Sequence, residues 1–226
     1  VRVRRSFAFI DVSGFTALTE TEGDERAVSV VSDFRSLVRG ICSRRAVRIA
    51  KWLGDGAMLV GVDTKPLVSA TLEMQMHTPA QPLGIRCGIA VGDVILLEGD
   101  DYIGHAVNVS ARLCDAASGG QILAQAGVGD ELPKWGAVLA EKSIQIRGLE
   151  HPMQVAELGF RHLEGPTMLD PVCGIPLTAS VADSMTRDHL GMLVLFCSES
   201  CRDTWERRPT PAPDSQGSLR IPLIGS

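Results

Sequence analysis

Two apolar runs, Val47 to Leu53 and Ala57 to Val62, are separated by Gly54-Asp55-Gly56, and Lys51 stands four residues before Asp55. Two glycines around an aspartate make a tight turn, and the apolar runs beside it make strands, so Lys51 to Val60 reads as a β-hairpin whose tip carries an ammonium and a carboxylate. A charged tip needs a partner. The other residues of chemical character are Asp11 upstream and Asp101, Asn108 and Arg112 downstream.

Ser6 to Val12 reads as a buried strand that delivers Asp11 at its end. A carboxylate there is costly unless something compensates it. Ser13-Gly14-Phe15-Thr16 turns into a helix, whose first turn offers free N–H groups and a positive dipole end. Asp11, Phe15 and Thr16 thus form a seat for metal and phosphate together, whereas Asp11 taken alone reads as a helix cap. Ala27, Val31, Phe34, Val38 and Ile41 recur at helical spacing and predict an amphipathic helix over Arg26 to Cys42. A second helix runs from about Pro66 to His77, with His77 a solvated helix-end residue, and Pro79 and Pro82 break the chain after it. Ile85, Cys87, Ile89 and Val91 alternate as in a half-buried strand, which continues through Asp93 to Gly99.

The helix Ala106 to Ala117 places Asn108 and Arg112 on one face, which by itself reads as a solvated face. Strands follow at Gln121 to Ala124, Gly136 to Leu139, Ser143 to Ile146 and Met153 to Leu158, with a short helix at Val128 to Leu132. This order predicts an α+β sandwich, a mostly antiparallel sheet with helices on one side.

With 226 residues, 45% of them hydrophobic, the chain can build one ordinary domain and a small appendage. Its net charge of -5 argues against a general nucleic-acid surface, so phosphate binding must be local. The apolar segments fall far short of the roughly 20 residues of a membrane span, and none reads as a secretory leader. The expectation is a soluble, cytoplasmic protein. Cys42, Cys87 and Cys114 are isolated in apolar segments and read as reduced core thiols. Cys173, Cys197 and Cys201 fall together. They belong to a segment of changed character, residues 169–208, after a linker at 161–168 and before a Pro-, Ser- and Gly-rich tail at 209–226 expected to be disordered.

Phe9-Ile10-Asp11-Val12-Ser13-Gly14-Phe15-Thr16, Lys51-Trp52-Leu53-Gly54-Asp55-Gly56 and Asp101 to Arg112, taken together, resemble the catalytic domain of class III adenylyl and guanylyl cyclases. The resemblance covers about residues 5–160 and favours the short-arm bacterial type, because the connection from Val94 to Asp101 is short. It implies a ferredoxin-like, palm-type sandwich over residues 1–160. It implies that Asp11 and Asp55, with the Val12 carbonyl, bind two Mg2+ (or Mn2+) ions and that Lys51 and Asp101 read the adenine edge of ATP. Asn108 would position the ribose, Arg112 would meet charge growing on the α-phosphate, and Arg147 would contact the terminal phosphates. Because Asn108 and Arg112 of one site come from the second protomer in this family, a homodimer is implied. The alternative is a catalytically weak cyclase-homology dimer whose C-terminal module is a metal-binding or interaction sensor.

Asp170-Pro171-Val172-Cys173-Gly174 with Phe196-Cys197-Ser198-Glu199-Ser200-Cys201 resembles the small YHS domain. Two thiolates four residues apart and a remote third suit Zn2+ or Cu+. The nearest fourth donor by chemistry is His189. A metal-free structural or interaction module remains the other reading.

Overall fold

The computed structural model describes residues 1–78, 83–97, 101–146 and 150–208. Strand β1 (Arg2–Val12) is the spine of the sheet, paired antiparallel with β3 (Gly56–Gly61) on one side and β4 (Ile85–Leu96) on the other. Beyond β3 lies β2 (Arg48–Leu53), the outgoing arm of the hairpin. Beyond β4 come β6 (Ile122–Gln125), β8 (Met153–Phe160) and β7 (Gly136–Ile144), while β5 (Tyr102–Ile103) adds to the far end of β4. Only the β4–β6 pairing is parallel among the described strands.

Pleating sends alternate side chains of β1 to opposite faces, and both faces are buried. Ala8, Ile10 and Val12 pack with α2 (Asp24–Arg44) and α3 (Thr64–His77), through Phe34, Val38, Ile41, Leu67 and Met74. Phe7 faces the other way, with Ala106, Val109 and Leu113 of α4 (His105–Ala116). The α+β sandwich expected from the sequence is present, but its helices lie on both faces rather than one. The reason is that β1 and β4 are apolar at successive positions, which leaves two faces to cover.

One further difference is local. The strands expected at Gly136 to Leu139 and Ser143 to Ile146 join into one, β7, which ends at Ile144 and is bulged between Val138 and Ala140, continuous because β8 runs alongside it. The helix expected after Asp11 is short, α1 (Phe15–Glu22), and only Leu18 in it is buried.

The C-terminal segment forms two small ribbons, β9 (Met168–Leu169) with β10 (Pro176–Leu177) and β11 (Ser184–Arg187) with β12 (Leu193–Phe196), and a helix, α5 (Glu199–Glu206). Cys173, Ile175, Leu177, Leu195, Phe196, Cys197 and Cys201 join the same apolar cluster as α2 and α3. The segment is therefore packed onto that face of the sandwich. The tail at 209–226, and the site candidate Arg147, lie outside the described residues.

Candidate active site

Register puts Asp11 between Gly56 on β3 and Arg86 on β4. A Cβ at Gly56 would stand 2.5 Å from the Ile10 carbonyl oxygen and 3.1 Å from Asp11 Oδ1, so the hairpin's return arm lies directly against Asp11. That closeness brings Asp55, at the tip, beside Asp11. The Asp55 carboxyl is pushed above the usual aspartate range, first by burial and then by the negative charge of Asp11. The tip itself is held from α2: Arg35 donates to the Gly54 carbonyl at 3.0 Å, and Arg35 and Arg39 stack over Trp52 at 5.1 and 5.2 Å. Gly54 takes φ +65°, a conformation that favours glycine.

Arg86 was not singled out by the sequence. Its Nε donates to Asp11 Oδ2 at 2.9 Å and a terminal nitrogen donates to the same oxygen, and this hydrogen bonding holds the guanidinium even more firmly protonated than usual. A charged residue inside an otherwise apolar strand was the available signal.

Asp11, Asp55, Arg86, Phe15 and Thr16 line one recess of about 560 Å3. The helix start at its rim has Gly14 at φ +80° and no side-chain cap, so the first-turn N–H groups stay available to an anion. The recess thus offers carboxylate oxygens for a hard cation and backbone donors for phosphate. The donor set fits a divalent ion: all candidate ligands are oxygens, and two carboxylates, Asp11 and Asp55, stand side by side in the recess with Arg86 as the cation paired to Asp11.

Lys51 and Asp101 meet although fifty residues separate them, with Nζ to Oδ1 at 2.7 Å and both side chains about half exposed. The same oxygen accepts the Tyr102 N–H at 2.9 Å, and the Lys51 ammonium holds the Asp101 carboxyl below its usual range. Tyr102 is fixed in turn by its edge contact with Phe7, ring centroids 5.4 Å apart. Asn108 and Arg112 are exposed on α4, and their side chains show no hydrogen bond or ion pair among the described residues. None of Lys51, Asp101, Asn108 and Arg112 lines the recess at Asp11. One chain therefore presents a recess lined by carboxylates and the start of a helix, a Lys51–Asp101 donor–acceptor pair, and a separate exposed Asn/Arg face.

The thiols divide as their spacing suggested. Cys42, Cys87 and Cys114 are free and buried, and burial pushes the Cys42 and Cys114 thiols up to about 12. Cys173, Cys197 and Cys201 converge, with Sγ separations of 3.5 Å (173 to 197) and 3.6 Å (197 to 201). A tetrahedral ion with sulfur ligands at about 2.3 Å sets its sulfurs about 3.8 Å apart, so the cluster fits such an ion with little adjustment. The donor that completes it is Asp170, whose carboxylate lies with the three sulfurs inside 4.8 Å. His189 is not part of this group. Asp170 also ties the two cysteine loops together, accepting from the N–H groups of Val172 and Cys197 at 2.8 Å each. His77 is exposed, yet its Nε2 lies 2.8 Å from the Cys173 carbonyl and links α3 to the cysteine segment.

No protein-family model matches the chain. Among curated proteins it is 37% identical over 152 residues to Rv2212 of Mycobacterium tuberculosis, a protein without an assigned function, covering 66% of this chain and 40% of that one. It is 31% identical over 127 residues to the pH-sensitive adenylate cyclase MT1302 of Mycobacterium tuberculosis, covering 55% of this chain and 32% of that protein. The chain thus spans well under half the length of these relatives. Among solved structures, the adenylyl cyclase CyaB of P. aeruginosa superposes with a TM-score of 0.62 at 25% identity, covering 70% of this chain and 94% of that one. Guanylyl cyclase domains share the same fold.

Proposed function

We propose that the chain is an adenylate cyclase that converts ATP to 3′,5′-cyclic AMP and pyrophosphate in sites shared by two copies. The observation that carries this reading is the Lys51–Asp101 pair, assembled beside a hairpin whose tip also brings Asp55 to Asp11. Adenine presents an acceptor at ring N1 and a donor at its amino group, which suits an ammonium followed by a carboxylate. Guanine reverses both, setting an N–H against Lys51 and an oxygen against Asp101. The similarity to MT1302 and CyaB supports a cyclase, and the side-chain chemistry supports ATP.

Asp11 and Asp55, with the Val12 carbonyl, would hold two Mg2+ (or Mn2+), which supply acidity at the ribose 3′-hydroxyl and charge neutralisation on the triphosphate. The chain does the rest. The N–H groups at Phe15 and Thr16 take up phosphate oxygens at the start of α1, and Arg86, which lines the same recess, adds positive charge for phosphate there. Arg147 is assigned to the terminal phosphates from the sequence resemblance alone. Asn108 orients the ribose, and Arg112 meets the charge that builds on the α-phosphate as the 3′-oxygen attacks in line and pyrophosphate leaves. Asn108 and Arg112 are exposed and away from the recess of their own chain, which supports their serving the site of a second copy.

The test is purified protein with ATP or GTP and Mg2+ or Mn2+, with product identified, beside Asp11→Ala and Lys51→Glu. Cyclic AMP from ATP, lost in Asp11→Ala, is expected. No cyclic AMP with either metal overturns the reading.

The YHS-like segment carries a separate proposal, a metal site at Cys173, Cys197 and Cys201 with Asp170 as fourth donor. The close sulfur packing supports Zn2+ or Cu+ there.

A further inference from the structure

Two charged side chains in the core have no motif to explain them. Glu73 on α3 is fully buried; its Oε2 accepts Arg45 Nε at 2.5 Å and its Oε1 accepts Arg44. Two guanidinium groups converge on one carboxylate, so the pairing leaves one positive charge over. Arg45, with only 5% of its side chain exposed, shows where that charge is directed. A terminal nitrogen donates to Cys197 Sγ at 3.2 Å. Its guanidinium lies 5.7 Å over the Trp135 ring, and Trp135 Nε1 donates to the Cys197 carbonyl at 3.2 Å. A permanent cation is costly to bury against a neutral thiol and stabilising against an anionic sulfur.

We propose that Arg45, at the end of α2, is the outer-shell cation of the Cys173–Cys197–Cys201–Asp170 metal site. The site is then composite: sulfurs from the C-terminal segment, compensating charge from the sandwich. Three thiolates and a carboxylate around a divalent ion leave two negative charges in a buried cluster, and Arg45 offsets one of them. Around a monovalent ion three would remain, so the arrangement favours a zinc-class divalent ion over Cu+. Metal uptake at the cysteines and the packing of α2 against the C-terminal segment become one linked equilibrium. This rests on the metal reading of the cysteines.

The experiment is a competitive Zn2+ titration of the full chain against a chromophoric chelator, for wild type, Cys201→Ser, Arg45→Gln and Arg45→Lys. Wild type binds one equivalent and Cys201→Ser loses it. Arg45→Gln binds about 10- to 100-fold more weakly, the usual effect of losing an outer-shell partner, and Arg45→Lys recovers part of the loss. A folded Arg45→Gln with wild-type Zn2+ affinity overturns the proposal. Should the buried substitution unfold the chain, hydrogen exchange on the wild type decides. Zn2+ must slow exchange at residues 41–47, and no change there overturns the proposal equally. Wild type that takes up no Zn2+ sinks the metal reading itself, and Arg45's role with it.

Discussion

Gly88 on β4 is where the sheet meets α4, and adding one methyl group there tests how tightly the Asn/Arg face is positioned. A Cβ at Gly88 would stand 2.1 Å from the Cys114 nitrogen, 2.2 Å from the Ser110 carbonyl oxygen and 2.7 Å from the Leu113 carbonyl carbon. All three are helix backbone, so no side-chain rotation relieves them. Restoring an ordinary 3.4 Å contact from 2.1 Å requires α4 to retreat by about 1.3 Å as a body, since a close-packed interior has no slack to absorb it. Asn108 and Arg112 ride on that helix. Overpacking of this kind costs about 1–3 kcal/mol or more. A catalytic group displaced by about 1 Å costs on the order of 100-fold in rate. Gly88→Ala should therefore lower the thermal midpoint and, after correction for the folded fraction, cut the turnover of ATP to cyclic AMP about 100-fold, with a smaller change in KM, because the role proposed for Arg112 is on developing charge. Thermal denaturation followed by circular dichroism, with product formation at saturating ATP and Mn2+, measures both. A Gly88→Ala protein of unchanged midpoint and a rate within fivefold of wild type would refute the reasoning.

Three further outcomes follow from the site. Mixing equal amounts of Asp11→Ala and Arg112→Ala, each inactive alone, should restore about a quarter of wild-type activity, because half of the dimers are mixed and each holds one intact site; no recovery argues against shared sites. In Lys51→Met the Asp101 carboxyl should titrate higher than in wild type, by NMR, because Lys51 is the first cause of its downward shift. The sign is that of a depressed carboxylate: its favourable interaction is present above the unfolded value and lost as pH falls through the folded one. Asp11→Asn should move Asp55 the opposite way, back down toward an ordinary aspartate, and abolish metal-dependent turnover; an unmoved Asp55 would mean that burial alone raises it.

The hairpin, the helices and the alternating strand at Ile85 were legible because each is local: a Gly-Asp-Gly turn, a 3.6-residue period and a two-residue period need no knowledge of the rest of the chain. The pairing of Lys51 with Asp101 entered through resemblance to known domains. Its geometry depends on where β5 attaches to β4, which no spacing encodes. Arg86 was missed because its meaning comes from lying opposite Asp11 across the β1–β4 ladder. By chemistry alone the sequence points to His189 as the nearest fourth donor, and nothing local points to Asp170. Yet Asp170 is fixed within the cluster by backbone N–H groups of both cysteine loops.

The sequence by itself determined most of the strands and helices of residues 1–160, and which residue types could serve phosphate, base and soft metal, since both follow from local pattern and side-chain chemistry. Only the tertiary structure decided that helices cover both faces, that Arg86 neutralises Asp11, and that Glu73 and Arg45 carry a buried charge network from α3 to Cys197. Those facts depend on contacts between residues up to 152 positions apart, Arg45 to Cys197, and such contacts are set by strand order and layer packing rather than by neighbouring residues in the chain.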